Sequence, residues 1–209
     1  MTRLPIARLA MILLIPALLV GCGINNIPTK EERAKAQWAE VQNQYQRRSD
    51  LIPNLVETVK GYAAQEKSVL VEVVQARASA TQVKVDASTL TDPAKFQEYA
   101  QAQDRLSGVL GRLMMIQENY PDQKSNQNFL ALQSQLEGTE NRIAISRRDY
   151  NESVRDYNLE FKTFPNSFWA MVHSGSKPMQ MFAASASAQS APSVSFAPAP
   201  PVTQTAPAQ

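Results

Sequence analysis

Two groups of charged residues are close enough in pattern to share a site: Arg47, Arg48 and Asp50, and later Glu140 and Arg147 at a spacing of seven, with Arg148 beside them. Guanidinium groups match carboxylates through paired N–H···O bonds, so such residues on neighbouring helices either lock register and orientation or bind a polar substrate. The first use is favoured, because no nucleophile or metal cluster accompanies them. Tyr150, Asn151, Tyr157 and Asn158 pose a similar choice. A seven-residue spacing superimposes the two Tyr-Asn doublets on one helical stripe within about 20°. They are read either as a polar binding strip or, the favoured reading, as core rings whose hydroxyls and neighbouring amides satisfy interior hydrogen bonds. His173 is the single histidine and Cys22 the single cysteine. Glu57, Glu66, Glu72, Glu137 and Glu140 lack the Glu-x-x-His pairs of a di-metal bundle site. No Gly-rich phosphate loop or Gly-x-Ser-x-Gly elbow occurs, so neither cofactor nor metal is expected and the chain is read as a non-enzyme.

Cys22 has a different chemistry. Arg3 and Arg8 precede twelve uncharged, mostly apolar residues from Leu9 to Val20. A run of this length suits the core of an export signal, which needs about 7 to 15 residues, rather than a spanning helix, which needs about 20. Leu19-Val20-Gly21-Cys22 resembles the lipobox of bacterial lipoproteins, which implies cleavage before Cys22, diacylglycerol on its sulfur and usually a further acyl chain, such as palmitate, on the new amino group. Several chains make a firm anchor, each buried CH₂ contributing about 0.8 kcal/mol. Cleavage after Gly23, leaving a soluble product, is the alternative. Gly23 leans toward the outer membrane facing the periplasm in a Gram-negative cell, with the inner membrane as alternative.

Loss of residues 1–21 removes two of the 21 basic residues, leaving 19 against 19 acids. A balanced chain has no electrostatic case for nucleic acid, whose binding needs an excess of positive charge. The expected partners are the membrane, through acylated Cys22, and envelope proteins that the sequence does not identify.

Between Pro28 and Phe164 the chain is rich in strong helix formers, with Gly61, Gly108, Gly111 and Gly138 and three prolines, Pro53, Pro93 and Pro121, as punctuation. Thr29 with Glu32 reads as a capping box opening a first helix that runs to about Asp50. Asp50 and Pro53 then suit the start of a second helix reaching Ala80, although one continuous, kinked helix competes with that division. A third helix starts at Asp92-Pro93 and carries Phe96, Tyr99, Gln103, Leu106, Leu110, Leu113 and Gln117. Its two glutamines predict hydrogen bonds inside the seam. A fourth, about Ser125 to Thr163, repeats every seven residues through Phe129, Leu136, Ile143, Tyr150, Tyr157 and Phe164. Such a repeat means a supercoiled seam, and the whole is an all-α, antiparallel four-helix bundle. Phe168, Trp169, Met179, Met181 and Phe182 either close one end of the bundle or form a docking patch. From Ala183 to Gln209, nine alanines, five prolines and no charge predict a disordered tail. The resulting division is a signal peptide over 1–21, a lipid-anchored linker over 22–28, the bundle over 29–182 and the tail over 183–209.

Two longer stretches carry a resemblance. Arg47-Arg48-Ser49-Asp50-Leu51-Ile52-Pro53-Asn54-Leu55-Val56-Glu57-Thr58-Val59-Lys60-Gly61-Tyr62 resembles a segment of the LemA family of bacterial envelope proteins. Asn128-Phe129-Leu130, Leu136-Glu137-Gly138-Thr139-Glu140-Asn141-Arg142-Ile143, Arg147-Arg148, the two Tyr-Asn doublets and Phe164-Pro165 resemble the family's last helix. Together they span about Thr29 to Phe182. The resemblance implies a helical bundle with a membrane-attached amino terminus and a domain outside the cytoplasm. It also implies roles in envelope quality control or membrane organisation rather than a defined activity. A lipobox in place of the commoner amino-terminal membrane helix is a departure from the family pattern. The rival class is a periplasmic enzyme or chaperone-like factor using the polar seam through Arg48, Glu140 and Tyr150. Burial separates the two, since enclosed and mutually paired side chains are out of a substrate's reach.

Overall fold

The computed structural model describes residues 25–60, 67–83, 85–86, 88–117, 127–164, 166–167 and 175–183. The signal segment with Cys22, the tail from 184 onward, Phe168, Trp169 and His173 lie outside these. The described residues form α1 (Asn26–Lys60), α2 (Lys67–Gln82), α3 (Pro93–Gln117) and α4 (Gln127–Glu160), with no strand among them.

The first helix starts earlier and ends later than the pattern predicts. Asn25 rather than Thr29 caps it, its carbonyl accepting the Thr29 amide at 3.1 Å. Pro28 falls in the first turn, where its missing N–H is one of the helix's unbonded donors in any case. Asp50 caps nothing, because α1 runs straight through Pro53 to Lys60. A proline at position 53 deprives the Ser49 carbonyl of its helical donor. Arg77 of α2 supplies the replacement, its Nε donating to Ser49 O at 2.9 Å and to Ser49 Oγ at 3.2 Å. The freed acceptor thus becomes a cross-helix link. Pro53→Ala is expected to stabilise the fold by about 1 to 3 kcal/mol by restoring the helical bond. Arg77→Ala should cost about 1 to 3 kcal/mol in the native background and less beside Pro53→Ala. A double-mutant cycle in urea checks this, and additive effects would refute the link.

The start of α3 follows the expected pattern: Asp92 Oδ1 accepts the amides of Ala94 and Lys95 at 2.9 and 3.3 Å, and Pro93 takes the first helical position. Pairs of Lys30 with Glu160 and Arg48 with Glu140 show that α1 and α4 run antiparallel. Glu72 with Arg112, and Ala80 with Gln103, show the same for α2 and α3. Arg77 meets Ser49 while Lys67 and Leu70 lie beside Val56 and Lys60, so α2 also runs antiparallel to α1 and the bundle is up-down-up-down.

The helices differ in length, and that shapes the interior. The 35 residues of α1 span about 52 Å, whereas the 16 of α2 span about 24 Å. Where α2 is present, Ile52, Leu55 and Val59 pack with Leu70, Val73, Leu106, Leu110, Leu113, Phe129 and Leu136. Where it is absent, Ala34, Trp38 and Val41 are covered instead by Leu90 from the α2–α3 connection and by Met179 and Phe182 from an extended strap. On α4 the large repeat of Phe129, Leu136, Ile143, Tyr150 and Tyr157 is buried. Phe164 leaves the series: the helix ends at Glu160, and this ring is 89% exposed. Offset by three from the large repeat lie Thr139, Ser146 and Ser153, also buried. Their hydroxyls donate back to Gln135, Ile143 and Tyr150 carbonyls, so the tight seam leaves these donors bonded.

Candidate functional site

A polar layer separates the two apolar cores, and Arg48 is its centre. The residue is fully enclosed. Its Nη1 donates to Ser107 Oγ at 2.6 Å and to Glu140 Oε1 at 3.1 Å, while Nη2 reaches the Gln103 side-chain oxygen and, at 3.3 Å, its carbonyl. Ser107 Oγ in turn donates to Glu140 Oε2 at 3.1 Å, and Gln103 Nε2 to Ala80 O at 3.2 Å. All four helices meet in this network. The Tyr45 ring lies 5.0 Å from the Arg48 guanidinium, close enough for a cation–π contact. Burial pushes the Tyr45 hydroxyl up to about 12, so it stays neutral beside the cation. A cleft of about 360 Å³ opens next to the layer, lined by Gln42, Tyr45, Ser49, Thr81 and Gln103.

Of the charged candidates, the fold unites Arg48 with Glu140 and sets Arg147 one level away on Asp104, at 2.7 Å. Arg47 and Asp50 point outward, Asp50 accepting from Gln46 at 2.8 Å on the same helix face. Arg148 pairs with the adjacent Asp149 on the surface. Gln103 sits at the level where a buried amide was expected. Ser107, Asp104 and Arg77 were missed, because their spacing alone does not distinguish them from solvated helix positions. Glu140 remains about one-third exposed, yet both oxygens are engaged. A side chain as enclosed as Arg48 is out of a substrate's reach.

The two Tyr-Asn doublets form a second constellation. Tyr150 donates to the Gln180 carbonyl at 2.9 Å, and the Asn151 amide bonds Phe182 in both directions, Nδ2 to O and Oδ1 from N, each at 2.9 Å. Seven residues on, Tyr157 donates to the Lys177 carbonyl at 3.1 Å, and Asn158 holds Met179 in the same two-way fashion at 2.8 and 2.9 Å. The rings are buried as core knobs, and burial raises the Tyr150 and Tyr157 hydroxyls above their ordinary range, which keeps them as donors. Phe182 enters an aromatic box, with centroids 4.9 Å from Phe96, 5.7 Å from Tyr150 and 6.0 Å from Trp38. Arg147 covers it at 4.3 Å. Met179 and Phe182 thus close one end of the bundle, while Met181 is half exposed.

The LemA family model matches residues 37–196, which takes in the Arg48 layer, both doublets and the strap. The chain belongs to the LemA family. Among its relatives are the magnetosome protein MamQ of Magnetospirillum gryphiswaldense, 27% identical over 86% of this chain and 71% of the relative. The magnetosome proteins MamQ 1 and MamQ 2 of Paramagnetospirillum magneticum are each 26% identical over 80% of this chain and 66% of theirs. The match thus spans about two thirds of the length of the latter two proteins. For a LemA-family chain, the described residues contain no group of three or more acidic, histidine or cysteine side chains placed to hold a metal, and no helix long and apolar enough to cross a membrane.

Proposed function

We propose that this chain is a lipid-anchored envelope protein of the LemA family, acylated at Cys22, whose bundle works by contact with other molecules rather than by catalysis. The observation that carries the non-catalytic part is the enclosure of Arg48: the strongest charged constellation in the described residues is consumed in joining four helices. The resemblance of Leu19-Val20-Gly21-Cys22 to a lipobox supports the anchor, and the likeness to magnetosome proteins supports a place at a membrane. With α1 beginning at Asn26, four residues after Cys22, the tether is at most about 14 Å. The base of the bundle would therefore stand directly on the bilayer. Gly23 favours the outer membrane, facing the periplasm, over the inner membrane in a Gram-negative cell. Envelope proteins are the partners of such a module.

The test is metabolic labelling with a fatty acid. Wild-type chain is expected to take up label and sediment with membranes, whereas Cys22→Ala takes up none and accumulates in unprocessed form. Continued labelling of the variant would overturn the anchor.

A further inference from the structure

The grip of α4 on the strap is repeated, and the repeat has a metric reason. One heptad of helix advances about 10.5 Å, and three residues of extended chain advance about 10 Å. Tyr157-Asn158 and Tyr150-Asn151 can therefore each hold an equivalent unit of an extended segment, first Lys177 and Met179, then Gln180 and Phe182. A further bond runs from the Gln180 amide to the Leu90 carbonyl at 2.7 Å. Every one of these hydrogen bonds ends on a main-chain atom of the strap. Of the side chains, Met179 and Phe182 are buried and Ser176, just ahead of them, donates to Glu31 at 2.9 Å, whereas Lys177, Pro178 and Met181 face solvent. The strap is also flanked by open space. A cleft of about 540 Å³ runs beside Lys177 and Met179, bounded by Glu31, Trp38 and Leu90, and another of about 420 Å³ adjoins Phe182.

We propose that this face of α4 is a peptide-binding site for extended segments carrying two apolar residues three apart, and that residues 177–182 are its tethered, competing ligand. A main-chain grip with two apolar sockets tolerates many sequences, as in other sites that read an extended backbone and take selectivity from alternate pockets. A tethered segment acts at an effective concentration of about millimolar, so a partner segment enters when it outcompetes the strap. This deepens the reading of the bundle as an interaction module by naming the chemistry it engages.

The probe is a fluorescent peptide with the sequence of residues 176–183, offered to the full chain from residue 22 onward, made without the export signal and hence not acylated. A Met179→Ser/Phe182→Ser chain, which cannot fill its own sockets, is expected to bind the peptide at least tenfold more tightly than wild type. Adding Asn151→Ala and Asn158→Ala should abolish that gain, as should serine at the peptide's two apolar positions. Equal binding by wild type and the strap variant, or indifference to the asparagines, would overturn the proposal. Should the strap variant lose its helical circular dichroism, hydrogen exchange on the wild-type chain decides instead. A millimolar excess of unlabelled peptide is expected to accelerate exchange at the Met179 and Phe182 amides at least tenfold while leaving α4 protected, and unchanged rates would overturn it. A failed peptide assay with intact acylation leaves the anchor standing, and the reverse holds equally.

Discussion

Replacing Arg48 by alanine is expected to cost the fold about 3 to 5 kcal/mol, the range for removing one partner from a buried, hydrogen-bonded charge pair. The loss has three parts. Ser107 and the Gln103 oxygens lose their donor, Glu140 is left without its cation, and a long side chain vacates the junction where all four helices meet. Arg48→Lys should rescue little, because one ammonium cannot span the acceptors that the planar guanidinium reaches from two nitrogens. Glu140→Gln should cost less than either, since the position is partly exposed and an amide keeps an acceptor toward Arg48. Urea denaturation of the three variants gives the ranking. An Arg48→Ala cost below about 1 kcal/mol would mean that the layer is ornamental to stability.

Tyr150 is the second position of large effect, and it separates core from strap. The ring is fully buried against Trp38 at 5.3 Å and is stacked on Phe96 at 6.2 Å. Tyr150→Ala should therefore cost about 3 to 5 kcal/mol. Tyr150→Phe keeps the ring and removes only the bond to the Gln180 carbonyl, so about 0.5 to 1.5 kcal/mol is expected. Hydrogen exchange in the phenylalanine variant should quicken at the strap amides while the helices stay protected. Uniform quickening throughout the bundle would show that the strap has no opening of its own.

The helices and their buried faces were legible because burial imposes a period that residue types display directly. Ala34, Trp38, Val41 and Tyr45 on α1, and Phe129 to Tyr157 on α4, show it plainly. Helix ends were less legible. Period alone carried the α4 series on to Phe164, although the helix stops at Glu160 and leaves that ring in solvent. Pro53 resembles a boundary because the residue that compensates it, Arg77, lies on another helix. The charged seam was half legible: Arg48 and Glu140 meet, while Arg47 and Asp50 have the same composition and face outward. The doublets were visible as a stripe, but what they hold was not. Their partners are peptide groups, which every residue carries, so Lys177 to Phe182 bears no mark of being grasped.

That anonymity divides two properties of the strap that usually travel together. The hydrogen bonds reside in peptide groups, and slid along by three residues the strap would present Gln180 and Phe182 to Tyr157 and Asn158 with the same bonds available. Registration resides in side chains alone. A slide of that size would bring Ser185 to the aromatic box, where its hydroxyl would face rings instead of water. Two apolar side chains therefore index a ladder of main-chain hydrogen bonds that would fit other registers of the same segment.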